Sequence, residues 1–370
     1  MKKQVKMGML LLCCLMVIAG CGKKPHKNNA GHEETVAIKE GEYAASLPFE
    51  ASTSRIKHSQ ISTNLNETMI IGSGLMNLSK EYFSPDQHSY KEGQFLTYDV
   101  LDATGQDHVG LLGRTTESNP NGMNLPIDTP IETDGGTKKI TPTDVLLIDI
   151  YELDWYDGKD LEGISLGIVL NDKIGDSINP DIVKDDKLRA YGEEVGRKTV
   201  SYLRKNYPEI GQKTPIYVAL YKESGVNTVL PGTFIEEAYF KSKTIGEYSH
   251  LDEAWALFPS AQAKEMDADS SNDFDQFIKE IKRFFPEDTS VIGTGKFVDG
   301  YLDSLSIKVT MHAKTWAEAN AMIQKVNSSL ALMKNKDVKL KVNISSDDVL
   351  IAAIEREKES SETTVIQLID

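Results

Sequence analysis

Every cysteine of the chain, Cys13, Cys14 and Cys21, lies within nine positions at the end of an apolar stretch. A disulfide or a thiolate metal site needs partners from elsewhere in the fold, and no other cysteine exists, so the chemistry must be local. Ile18-Ala19-Gly20-Cys21 supplies it: a branched apolar residue, two small residues and a cysteine form the pattern of a bacterial lipobox. The resemblance to that motif implies that the Cys21 thiolate takes a diacylglyceryl group and that a signal peptidase cuts between Gly20 and Cys21. The surroundings agree. Lys2, Lys3 and Lys6 precede an apolar run from Met7 to Ile18, and Lys23 and Lys24 cut that run short of the about 20 residues a transmembrane helix needs. Cys13 and Cys14 are then filler in a removed leader. The alternative is an ordinary secretory leader with a cysteine after its cut.

The rest of the chain holds one motif for nucleophilic chemistry. Gly163-Ile164-Ser165-Leu166-Gly167 matches G-x-S-x-G, in which a strand-turn-helix elbow projects the serine toward a histidine base. Its neighbours contradict it. DGKDLE before and IVLND after put Ser165 inside a strand, where the glycines leave room for neighbouring side chains, and only His250 and His312 follow as triad bases. A surface serine hydrolase using Ser165 is the second functional reading; on the first, Ser165→Ala costs under about 1 kcal/mol.

Metal and phosphate signals are incomplete. HEETV at His32 lacks the second histidine of a zinc-protease helix, and GTGK at Gly293 to Lys296 lacks the first glycine and the hydroxyl residue of a phosphate loop. His26 and His32 read as solvated linker residues, so no metal or other cofactor is expected. Asp149, Glu152, Asp154, Asp157, Asp160 and Glu162 offer oxygen ligands suited to calcium, but their spacing misses the EF-hand loop, and a solvated strand edge with its turn is the simpler reading. Tyr151, Trp155 and Tyr156 stand at strand spacing, either as core or as the rim of a peptide or glycan groove.

These residues need a scaffold, and both hydrophobic periods are present. Leu188, Tyr191, Val195, Thr199 and Tyr202 recur at helical steps, as do Phe274, Phe277, Ile278, Ile281, Phe284 and Phe285. A third helix begins at Thr315, whose capping-box partner is Glu318, and a fourth is predicted after Ser346. Strand-like runs are VLLIDIY (145–151), ISLGIVL (164–170), PIYVALY (215–221), LDSLSIKVTM (302–311) and VKLKVNI (338–344). The class is α+β, with antiparallel or mixed sheets. Helix, Pro-Glu, strand, strand occurs through Pro208-Glu209 and again through Pro286-Glu287, which predicts two similar α/β units. The domain plan is a leader over 1–20, a flexible tether over 21–55, a first unit with its lead-in over 56–245 and a second unit over 246–370. The polar tether has an r.m.s. reach of about 30 to 35 Å.

Net charge is −15, and loss of Lys2, Lys3 and Lys6 with the leader takes it to −18. Such a field repels phosphate backbones, anionic head groups and anionic wall polymers. Nucleic acid is excluded as a partner, and acyl chains must hold the protein to the membrane.

GLMNLSKEYFSPDQHSYKEGQFL (74–96), LLGR (111–114), LEGISLGIVLN (161–171) and PIYVALYKESGVNTVLPGTFI (215–235) resemble the CamS family of Gram-positive surface lipoproteins, YerH-like lipoproteins included. The resemblance runs from the lipobox almost to the C-terminus. Its segments are not catalytic motifs, and it carries over no active site. It implies a body of two similar repeats, acyl chains such as palmitate on Cys21 and, in some members, a leader that yields a short apolar sex-pheromone peptide. Here that fragment is Cys14-Leu15-Met16-Val17-Ile18-Ala19-Gly20, and against the family's Ala-Ile-Phe-Ile-Leu-Ala pattern only the penultimate Ala19 is identical. The expectation is a membrane-anchored, extracytoplasmic and non-enzymatic lipoprotein. Its partners are membrane lipid through Cys21, lipoprotein signal peptidase during processing, and an unidentified peptide, glycan or protein ligand.

Overall fold

The computed structural model describes residues 41–369 apart from 62–64, 103–108, 226–227, 243–245 and 286–288. Cys13, Cys14, the lipobox, His26, His32 and Pro286-Glu287 therefore lie outside the described residues.

The chain enters through β1 (Ala44–Ala45), α1 (Thr53–Ile61), α2 (Leu65–Ser79), β2 (Ser89–Glu92) and the short α3 (Tyr98–Leu101). A ribbon of β3 (Pro130–Thr133) and β4 (Gly136–Lys139) leads to the long hairpin of β5 (Leu147–Asp157) and β6 (Asp160–Leu170). After a second ribbon, β7 (Lys173–Ile174) and β8 (Asp181–Ile182), α4 (Asp185–Asn206) crosses over to β9 (Ile216–Lys222), β10 (Thr233–Phe240) and β11 (Tyr248–His250). The first sheet has the order β1-β2-β5-β6-β9-β10-β11. Then β12 (Glu253–Phe258), α5 (Ala261–Met266), α6 (Ala268–Phe284), β13 (Ser290–Val298), β14 (Tyr301–Met311), α7 (Trp316–Ser329), β15 (Lys339–Ser346), β16 (Val349–Arg356) and β17 (Thr364–Gln367) follow. Their six strands lie side by side in sequence order.

One connectivity recurs: a hairpin, a helical crossover to a parallel neighbour, and a second hairpin. It reads β5-β6-α4-β9-β10 in the first sheet and β13-β14-α7-β15-β16 in the second. The α+β class with mixed sheets and two similar units is thus what the fold shows. The counterpart of α4 is α7, and not α6, because α6 connects the antiparallel neighbours β12 and β13. The Pro-Glu pattern matched non-equivalent helices, since an amphipathic helix followed by a strand looks the same locally in either connection.

The two sheets are covered differently. In the first, Ile164, Leu166, Ile168 and Leu170 of β6 face α4, while Ser165, Gly167 and Val169 face the α2 side, so the strand is apolar on both faces. Gly192 lets α4 approach closely: a Cβ there would lie 2.6 Å from Leu170 Cδ1. The second sheet packs one face on Phe274, Phe277 and Ile281 of α6 and Met322, Ile323 and Val326 of α7. Along β13 burial alternates, with Val291, Gly293, Gly295 and Phe297 inward. Asp267 caps α6 by accepting from Ser270 N, and Thr315 caps α7 by accepting from Glu318 N. Glu253 joins the sheets, since its carboxylate accepts from Phe234 N of β10 and pairs with Lys296 Nζ of β13 at 2.6 Å.

Two expectations are corrected. The segment after Ser346 is a strand and not the predicted fourth helix: Asp347, at φ +50°, turns the chain, and Ala352, Ile354 and Arg356 alternate inward along β16. The tether read over 21–55 is too long. Tyr43 is buried 4.2 Å from the Trp155 ring centroid, β1 pairs in parallel with β2, and α1 has begun by Thr53. A single aromatic anchors a segment that has no apolar period. Among the described residues, no helix is long and apolar enough to cross a membrane.

Candidate functional site

Helix α1 reads TSRIKHSQI and has no continuous apolar face; Ile56 is exposed. Charge holds it. Arg55 grips Asp149 of β5 with both ends of its guanidinium, at 2.6 and 2.7 Å, and lies 4.0 Å from the centre of the Tyr151 ring. One turn later His58 uses both ring nitrogens, Nδ1 at 3.0 Å from Asp149 Oδ2 and Nε2 at 2.5 Å from Asp102 Oδ2. Burial opposes the His58 charge, but hydrogen bonds to Asp102 and Asp149 outweigh it and push the pKa up to about 9. Burial likewise opposes ionisation of Asp149, yet Arg55 and His58 hold it well below the usual carboxylate range.

Beside this network lies a cleft of about 320 Å³, walled by Arg55 and His58 of α1, Glu67 and Ile71 of α2, Tyr151 of β5 and Glu223 just beyond β9. Glu67 is an acceptor for Tyr221 Oη at 3.1 Å and for the backbone N–H groups of Ser224 and Gly232 at 3.1 and 3.2 Å. Burial and then the charge of Glu67 push Glu223 up to about 7. A cleft of this size, part aliphatic and part charged, is suited to a small ligand.

The acidic run divides. Asp149 belongs to the cleft. Glu152 points away from it and accepts from the backbone N–H of Phe95 and Leu96, while Asp154 accepts from Gln94 N. Both are buried; burial raises the Glu152 pKa, and burial together with the Glu152 charge raises that of Asp154. The solvated reading therefore fails for these three and applies to Asp157, Asp160 and Glu162, which are exposed at the hairpin turn. Asp149 is stabilised by donors from helix α1, and Glu152 and Asp154 by backbone donors of the loop after β2. No group of three or more metal-ligating side chains is assembled among the described residues.

Ser165 is fully buried in β6. Its Oγ accepts from Trp155 Nε1 at 2.8 Å and meets Ser79 Oγ at 2.8 Å. A Cβ at Gly163 would fall 2.1 Å from Phe83 Cε1, so that glycine makes room for packing and forms no elbow. His250 sits beside Arg189 and Ile235 O, and His312 pairs with Asp347; neither is a hydrogen-bond partner of Ser165. Because Ser165 answers a buried indole N–H, the near-neutral cost expected of Ser165→Ala is too small. Tyr151 and Trp155 are core residues, Tyr151 also facing Arg55, and Tyr156 is half-buried. Arg55, His58, Glu67, Asp102 and Glu223 had no local signal: their partners lie far along the chain, 94 residues away for Arg55 and 157 for Glu67 and Ser224.

Fold and site together define a two-sheet α+β body with a charged cleft, in which the G-x-S-x-G serine is a structural strand residue. The chain belongs to the CamS family: the family described as CamS sex pheromone cAM373 precursor, not a known enzyme family, matches residues 49–362. Its fold is similar to that of the sex pheromone precursor from Lactobacillus salivarius subsp. salivarius UCC118, with a TM-score of 0.77 and 24% identity over 91% of this chain and 98% of that one. It is also similar to the C-terminal domain of the sex pheromone staph-cAM373 precursor from Staphylococcus aureus, with a TM-score of 0.66 and 24% identity over 81% and 96% of the two chains. No curated protein matches the chain.

Proposed function

We propose that this is a membrane-anchored, extracytoplasmic CamS-type lipoprotein whose body binds a small ligand and performs no catalysis. The anchor reading is supported by Ile18-Ala19-Gly20-Cys21 at the end of a basic-then-apolar leader, together with family membership. The binding reading is carried by the cleft under α1, the place where buried charged groups from three elements converge beside aliphatic walls. Arg55, His58 and Asp149 hold the cleft together, and none is arranged toward a nucleophile. The test is lipid labelling of full-length protein in a Gram-positive host: wild type incorporates radiolabelled palmitate and fractionates with membranes. Cys21→Ser does neither, and label retained in that variant would remove the anchor from the assignment. Failure of purified protein to react with a fluorophosphonate probe is the expected companion result.

A further inference from the structure

We propose that the cleft beneath α1 receives an organic ammonium group, its charge beside Glu223 and Glu67 and its hydrocarbon part along Ile71, Leu112, Ile148 and Val169. This rests on the reading of the cleft as a ligand site. The cations that line the cleft are already satisfied. Arg55 is committed to Asp149 and to Ile150 O, and both nitrogens of His58 are committed to Asp149 and Asp102. An incoming anion therefore finds no free cation in the cleft among the described residues. The acids differ. Glu67 has its own donors in Tyr221, Ser224 and Gly232. The half-buried Glu223 carboxyl has no hydrogen-bond or ion-pair donor among the described residues. The lysine whose charge acts on it, Lys173, is already engaged, its Nζ bonding Asp172 Oδ1 at 3.0 Å and Ser224 O at 2.8 Å.

Of the four carboxyls that line the cleft, Asp102, Asp149 and Glu67 have donors and Glu223 has none among the described residues, so a partly desolvated carboxylate there lacks its natural complement. A ligand N–H donor bearing positive charge supplies both the hydrogen bond and the counter-charge. A divalent metal fits poorly, because such ions want six or more oxygen ligands and no such group is assembled among the described residues. The aliphatic wall selects instead for a cation with an apolar body. The charged groups acting on Glu223 are Glu67 of α2, Asp149 of β5, Lys173 of β7 and Asp172 before it; burial and the Glu67 charge dominate and push Glu223 to about 7. Binding requires the ionised form, so apparent affinity rises about tenfold from pH 6 to pH 8 as that form becomes the major one.

The experiment is calorimetric titration of full-length protein in detergent with three probes of one shape: phenethylammonium, 3-phenylpropionate and 2-phenylethanol. Phenethylammonium is expected to bind preferentially, to bind more tightly at pH 8 than at pH 6, and to lose about tenfold in affinity in Glu223→Gln. Glu223→Gln is also expected to melt no lower than wild type at pH 8, since it removes a buried charge, and this separates a ligand-facing role from a structural one. Equal binding by wild type and Glu223→Gln overturns the proposal. Preference for the carboxylate or the alcohol overturns the ammonium class while leaving the cleft as a binding site. Absence of binding by all three probes overturns both readings.

Discussion

At Asp149 one carboxylate meets two cations of α1, Arg55 and His58, and so carries the largest share of the charge that attaches the helix. Asp149→Asn leaves Arg55 buried without its counter-charge and His58 with Asp102 alone, and is expected to destabilise the protein by about 3 to 5 kcal/mol in urea titration. A loss under about 1 kcal/mol would show that α1 is held by other contacts. Ser165→Ala strands the indole N–H of Trp155, a buried donor, and is expected to cost about 1 to 3 kcal/mol while changing no activity. What the sequence revealed at this scale was chemical identity without pairing. Asp149 and Ser165 were visible as candidates, but the residues that give them meaning, Arg55 at 94 positions and Ser79 at 86 positions, were not.

Among the elements, α1 combines dependence on charge with a titratable residue in its last turn. The folded pKa of His58, about 9, lies above the unfolded value near 6.5. Its contribution is therefore fully present below about pH 6.5 and is lost as pH rises through about 9. Asp149 has the opposite sign: its folded pKa is depressed, so its contribution is present above about pH 4 and is lost as pH falls toward the folded value. Amide hydrogen exchange, corrected for intrinsic rates and compared with α4, should show α1 losing protection between pH 7 and pH 10 while α4 holds; parallel loss in both helices would refute the assignment. Strands with continuous or alternating apolar runs were legible, and all five runs named from the sequence are strands. α1 was not, because it has no apolar period, and α2 was hidden by Gly72 and Gly74, the latter needed for space since a Cβ there would lie 2.5 Å from Phe234. β16 was misread because a three-residue apolar spacing suits a helix and two-residue alternation suits a strand, and the residues from Ile351 to Ile354 satisfy both.

For the whole molecule, duplication was legible only in outline, since the shared connectivity is defined by which strands pair across a crossover. The leader carries its own prediction. A seven-residue apolar peptide is discriminated mainly by pocket shape, where one methylene is worth about 1 to 3 kcal/mol, so several mismatches weaken binding by orders of magnitude. Synthetic CLMVIAG, kept reduced, is expected to elicit no mating response from cells carrying a pheromone-inducible plasmid at concentrations where the family peptide acts. A response there would mean that the departures matter less than their chemistry suggests. The way the N-terminal segment meets the body has a mechanical consequence. Tension applied at the N-terminus reaches the body first through the Tyr43 ring on Trp155, the two-residue pairing of β1 and the ion pairs of α1, ahead of the cores beneath α4, α6 and α7. These contacts yield before the sheets do, releasing the stretch from Ala44 to Ile61, about 60 Å of extended chain. The cleft then loses the wall built from Arg55 and His58, so its occupancy falls with pulling force, and a stretched molecule releases what a slack one retains.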